Sequence, residues 1–132
     1  MNTPKSQQRI LLVDDEAEFT ELLRMNLLRT GRFEVEVEND ATNALAKARE
    51  FRPDIILLDI VMPGIDGGDV SSLLRDDPVL RSTPVIMVSA LVSNDELNDD
   101  EVAQSGDKII LAKPVRMEKL LAAIDQATQG AF

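Results

Sequence analysis

The chain has 132 residues, enough for one domain with one core, and 44% of them are hydrophobic, which excludes a disordered tail. It contains no Cys and no His, so it has no disulfide, no thiolate or imidazole metal site and no phosphohistidine chemistry of its own. A formal charge of −10 repels nucleic acid and anionic lipid, so any influence on transcription is expected to pass through another protein.

Residues 1–8, "MNTPKSQQ", read as a flexible tail. "ILLVD" (Ile10 to Asp14) reads as a buried strand, followed by a helix with Phe19, Leu22, Leu23 and Leu27 on its apolar stripe and Gly31 at its stop. "FEVEVE" alternates strictly, as a strand with one wet face does, which places it at a sheet edge. The next helix carries Ala44, Leu45, Ala48 and Phe51 and ends before Pro53. "IILLD" (Ile55 to Asp59) is a second continuous apolar strand, and a short helix with Val70, Leu73 and Leu74 runs to Pro78. "VIMVSA" after Pro84 and "KIILAK" (Lys108 to Lys113) are two further strands. Between them, the polar segment from Leu91 to Gly106 is read as a short helix. A last helix follows Pro114, with Met117, Leu120, Leu121 and Ile124 inward.

Five strand–helix units with continuous apolar strands imply a parallel sheet covered on both faces. With the alternating strand at an edge, the expected architecture is α/β: a flavodoxin-like (βα)5 three-layer sandwich with a parallel five-stranded sheet in the order 2-1-3-4-5. It would occupy residues 9–128, with a C-terminal tail at 129–132. No apolar run approaches the roughly 18 residues of a membrane span, and no signal peptide precedes the first strand, so a cytoplasmic location without membrane contact is expected.

Ligand chemistry in such sheets gathers beyond the carboxyl ends of the strands. The strands here end in Asp14 with Asp15, in Asp59, in Ser89 and in Lys113. Bland explanations exist for some of these. Asp15 and Glu18 have the spacing of a capping box, Asp14 could satisfy nearby amides, Ser89 could bond the following turn, and Lys113 could be a solvated lysine. Asp59 resists them, because a turn, "IVMPGIDG", follows it rather than a helix. Two carboxylates about 4 Å apart repel by roughly 4 kcal/mol at an effective dielectric near 20. Three of them need a proton or a cation, and Lys113 supplies one charge. All-oxygen donors without His or Cys indicate Mg²⁺ or Mn²⁺, an ion that shares its shell with a phosphate.

"LLVDDE", "PDIILLDIVMPGIDG", "PVIMVSA" and "KIILAKPV" resemble the receiver domain of two-component response regulators, over about Arg9 to Gln126. The motifs are an acidic pair after strand 1, an Asp four before Pro63 and eight before Gly67, a Ser-Ala after strand 4 and a Lys-Pro after strand 5. The resemblance implies that Asp59 accepts a phosphoryl group from a partner histidine kinase, a phosphotransfer protein or a small donor. It implies a metal site of Asp14, Asp15, Asp59 and the backbone carbonyl of Val61, with Asp15 a direct ligand and Asp14 acting mainly through water. Ser89 is then the hydroxyl that moves onto the phosphoryl group, and Lys113, through a bond to Pro114 that is usually cis, pairs with a phosphoryl oxygen. The output is a change in the surface of the fourth helix, fifth strand and fifth helix, read by a downstream protein effector. Phosphorylated receivers commonly form homodimers, although the last helix shows no decisive apolar patch. No separate substrate turnover is expected.

Two departures from the family pattern stand out. The switch position three before Lys113 is Ile110 where the family often has an aromatic, so coupling is expected to run through the fourth helix. Val61 and Leu91 are apolar where polar groups often position water, which predicts a long-lived aspartyl phosphate. The competing readings are an Mg²⁺-dependent phosphatase or phosphotransferase with an Asp nucleophile, and a flavin or nucleotide binder. The first commonly carries an acid/base Asp where Val61 stands, and the second wants a phosphate loop where "DDEAE" would repel phosphate. A stand-alone regulator and a receiver from a longer protein both remain open.

Overall fold

A computed structural model describes residues 7–60, 62, 67–89, 103–105 and 108–129. In chain order the elements are β1 (Gln8–Val13), α1 (Ala17–Arg29), β2 (Phe33–Glu38), a 3-10 turn (Ala41–Asn43), α2 (Ala44–Phe51), β3 (Ile55–Asp59), α3 (Gly67–Asp76), β4 (Val85–Ser89), β5 (Ala103–Ser105), β6 (Lys108–Ala112) and α4 (Met117–Gln129). The sheet order is β2-β1-β3-β4-β6-β5. The five strands β2, β1, β3, β4 and β6 are parallel, and they reproduce the 2-1-3-4-5 order expected of a flavodoxin-like sandwich.

The strands are apolar on both faces because both faces are covered. Side chains alternate along a strand, so Ile10 and Leu12 enter one core with Leu23, Leu27, Leu120 and Ile124, beneath α1 and α4. Leu11 and Val13 enter the other with Ala44, Ala48, Val70 and Leu74, beneath α2 and α3. Burying one such Leu or Ile contributes about 1.5–3 kcal/mol. At the edge, β2 buries Phe33 and half-buries Val35 and Val37, while Glu34 and Glu36 face water. Outward charges of this kind discourage pairing with another chain. Gly31 (φ 76°) ends α1 in the left-handed region that a side chain would resist.

Three expectations need correction. Residues 103–105 are not helical; they form β5, antiparallel to β6, with Ser105 opposite Lys108. Pairing Ala103, Gln104 and Ser105 with Ile110, Ile109 and Lys108 engages the backbone groups at the free edge of β6, which a helix there would leave unpaired. The remainder of that predicted helix, with Leu91, lies outside the described residues. Leu22 and Leu73, assigned to apolar stripes, are 61% and 46% exposed, because Leu23 and Leu74 already fill the narrow face each helix presents. Finally, α1 has Glu16 at its N-cap with no side-chain cap, so Asp15 does not close a capping box with Glu18.

Candidate functional site

Strand register brings the predicted residues to one rim. Val13 lies beside Leu58, Asp59 beside Val88, and Ser89 beside Ala112. The ladder continues past these ends: Asp14 N–H donates to the Glu38 carbonyl (3.2 Å), Ile60 N–H to the Val88 carbonyl (3.0 Å) and Lys113 N–H to the Ser89 carbonyl (3.0 Å). Asp14, Asp59, Ser89 and Lys113 therefore leave the sheet at the same level, with Asp15 one step further on.

The carboxylates of Asp14, Asp15 and Asp59 offer oxygens that all lie within 4.8 Å of one another. Asp14 and Asp59 are buried and Asp15 is exposed, so the cluster is rooted in the fold and opens to solvent on one side. One Asp14 oxygen, Oδ1, accepts the Glu16 N–H at 2.9 Å. The other, Oδ2, is buried. It faces the Lys113 ammonium as an ion pair at 2.8 Å. The same ammonium is 2.6 Å from Glu16 Oε1 and 3.7 Å from Asp59 Oδ2, and it sits 4.5 Å from the centre of the Phe19 ring. The Lys113–Pro114 bond is cis.

The electrostatics follow from these contacts. Burial pushes the Asp14 carboxyl above its ordinary value, against the pull of Lys113 and of the Glu16 N–H. Burial disfavours the Lys113 ammonium too, but Asp14, Glu16 and Asp59 together outweigh it and hold its pKa above that of a free lysine. Three carboxylates, Asp14, Glu16 and Asp59, thus share one ammonium, with Asp15 beside them, so negative charge exceeds positive at the rim. A hard, oxygen-loving divalent cation fits this donor set; a soft or imidazole-seeking metal does not.

Among the other predicted residues, Ser89 is buried at the end of β4, and Ile110 is half-buried in β6 against the α2–α3 core. Val61 lies outside the described residues. Sequence reasoning misses Glu16 and Asn39, and it places Phe19 on the apolar stripe of α1 without its contact to Lys113. Glu16 could have been noticed as the third acid of "DDE". Asn39 Nδ2 donates to the Asp14 carbonyl (2.7 Å) and to Thr20 Oγ1 (3.0 Å), tying the end of β1 to α1. Nothing local in the sequence announces that bridge.

The profile of the response regulator receiver domain family matches residues 10–125. The DNA-binding response regulator MtrA of Mycobacterium tuberculosis is 37% identical over 118 residues, which are 89% of this chain and 49% of that protein. The response regulator PleD of Caulobacter vibrioides is 38% identical over 123 residues, 92% of this chain and 26% of that protein. The chain therefore spans about half, or less, of the length of the curated relatives it matches. Among solved structures, Vibrio cholerae chemotaxis protein CheY4 superposes with a TM-score of 0.76 at 28% identity, covering 92% of this chain and 98% of that one. The Francisella response regulator 1452 receiver domain shares the fold, with a TM-score of 0.74 at 22% identity, covering 96% and 100%. With the acidic rim, the parallel sheet and the profile in agreement, the chain belongs to the response regulator receiver domain family.

Proposed function

We propose that the chain accepts a phosphoryl group on Asp59 and passes the signal on through protein contacts. The observation that carries this reading is the rim itself: three carboxylates within 4.8 Å of one another and an ammonium 3.7 Å from Asp59. A phosphohistidine on a histidine kinase or phosphotransfer protein, or a small acyl phosphate, presents phosphorus to an Asp59 oxygen. The carboxylate forms the new O–P bond as the bond to the donor breaks, and the leaving group departs with the bonding pair. Lys113 lies where it can take one phosphoryl oxygen and offset part of the charge. Asp14, Asp15 and Asp59, with the Val61 carbonyl as a fourth donor, would hold Mg²⁺ or Mn²⁺, which when bound supplies the positive charge that lets a phosphoryl group enter an acidic pocket. Ser89 supplies a hydroxyl to the phosphoryl oxygens.

The product carries about −1.5 to −2 additional charge on the rim, enough to redirect Ser89 and Lys113. The surface that changes includes β6 and α4, and a protein effector or a second phosphorylated copy reads it. The acidity of the chain favours protein over nucleic acid as that partner, and no separate substrate is turned over. No helix among the described residues is long and apolar enough to cross a membrane.

The test is incubation with acetyl phosphate and Mg²⁺ followed by intact-mass measurement. Wild type is expected to gain one phosphoryl group and Asp59→Asn none. No gain in wild type, or an equal gain in the variant, would remove Asp59 from the role.

A further inference from the structure

We propose that Glu16 is a positioning residue that restrains Lys113 and so slows phosphoryl uptake. The inference rests on Asp59 being the acceptor. In the unphosphorylated chain the Lys113 ammonium lies nearer Glu16 (2.6 Å) and Asp14 (2.8 Å) than Asp59 (3.7 Å). To pair with a phosphoryl oxygen it must move toward Asp59, and the Glu16 contact is the one most easily lost.

Glu16 is not a random surface acid that happens to fall nearby. Its N–H is fixed by Asp14 Oδ1 (2.9 Å), and its carbonyl accepts the Thr20 N–H (3.1 Å), so the turn that places Asp14 also places Glu16. Its carboxylate is 60% exposed, whereas the lysine side chain it holds is 11% exposed. An exposed ion pair is ordinarily weak, but one partner here is largely shielded from screening. Asp14 is the other restraint on Lys113, but its side chain is 4% exposed against 60% for Glu16, so its 2.8 Å ion pair lies inside the cluster and opens less readily. Glu16 also adds negative charge at the open side of the rim, where an anionic donor arrives. Both effects act in one direction: removing the Glu16 charge frees the ammonium and eases the approach.

The experiment compares wild type, Glu16→Gln, Lys113→Met and the double variant, with acetyl phosphate as donor at saturating Mg²⁺. Glu16→Gln is expected to accelerate phosphoryl uptake about three- to tenfold at low ionic strength, with a smaller gain near 0.5 M salt. Most of that gain should vanish in the Lys113→Met background. A second readout needs no metal and no donor: the ¹⁵N resonance of the Lys113 ammonium, assigned by its loss in Lys113→Met, should shift and sharpen in Glu16→Gln as the group is released. An unchanged or slower rate in Glu16→Gln overturns the proposal, as does an equal acceleration without Lys113 or an unmoved ammonium resonance. If wild type takes up no phosphoryl group, it is the acceptor role of Asp59 that fails, and the ammonium resonance still decides whether Glu16 holds Lys113.

Discussion

Asp14 and Asp77 are buried to nearly the same extent, 3% and 4% exposed, at opposite ends of the sheet, yet the fold treats them in opposite ways. Asp77 follows α3. Its Oδ1 accepts the N–H groups of Val79 (2.8 Å) and Leu80 (3.2 Å), and its Oδ2 takes the Arg49 guanidinium at 2.6 Å. Burial opposes its ionisation, but these donors outweigh it and hold its pKa below the ordinary carboxyl value. Asp14 has one backbone donor, an ammonium that it shares with Glu16 and Asp59, and other carboxylates for neighbours. Its pKa is raised. The contrast separates two uses of one residue type. A buried carboxylate with donors of its own fastens loops together, and one that must share its single cation with other carboxylates leaves room for a second.

That comparison breaks most clearly at Asp14. Asp14→Asn removes charge from a crowded site, and it leaves Lys113 with Glu16 and Asp59 as partners, so no buried cation is orphaned. Phosphoryl uptake should fall by about 100-fold or more as the metal-binding and charge pattern is lost. The melting temperature should hold or rise. A variant that melts well below wild type would place Asp14 with the structural aspartates instead.

Asp77→Ala should do the reverse. It strips a buried Leu80 N–H of one partner and cuts Arg49 loose, so the melting temperature should drop by several degrees, read by calorimetry. The rate of phosphoryl uptake should be unchanged, because Asp77 lies at the far end of the strands. Arg49→Ala should cost less than Asp77→Ala, since the guanidinium is more than half exposed and readily solvated. Equal losses in both would show that the ion pair, rather than the two backbone donors, carries the stabilisation.

The same two regions show what a sequence displays and what it conceals. Strand β3 was legible to the residue, because four buried apolar positions ending in an aspartate leave little choice. The edge position of β2 was legible from its strict alternation. The rim could be assembled from strand ends alone, since in a parallel sheet the carboxyl ends must point the same way. Asp77, by contrast, sits in "RDDPV", where it reads as the polar end of a helix. Its burial depends on Arg49, 28 positions earlier, which no local pattern links to it. Glu16 is concealed for the same reason: its partner Lys113 is 97 positions away. Strand β5 is concealed because the polar residues around it fit a helix as readily as a strand.

The finest separation of the two aspartates is by pH, and the expected effect is the smallest. For both groups the ordinary carboxyl value of 3.8 stands for the unfolded chain. Asp77 is depressed in the fold, so its stabilisation is complete above 3.8 and is lost as pH falls below that value through the folded pKa. Asp14 is raised, so its ionised form weakens the fold at neutral pH, and the weakening is relieved as pH falls through the folded pKa toward 3.8. Melting curves of wild type, Asp14→Asn and Asp77→Asn from pH 7 to pH 3 should therefore converge in different windows. The Asp14→Asn difference should shrink before pH 3.8 is reached, and the Asp77→Asn difference only below it. If both differences closed over the same interval, the two carboxylates would share one electrostatic environment, and the division between fastening and cation-awaiting aspartates would fail.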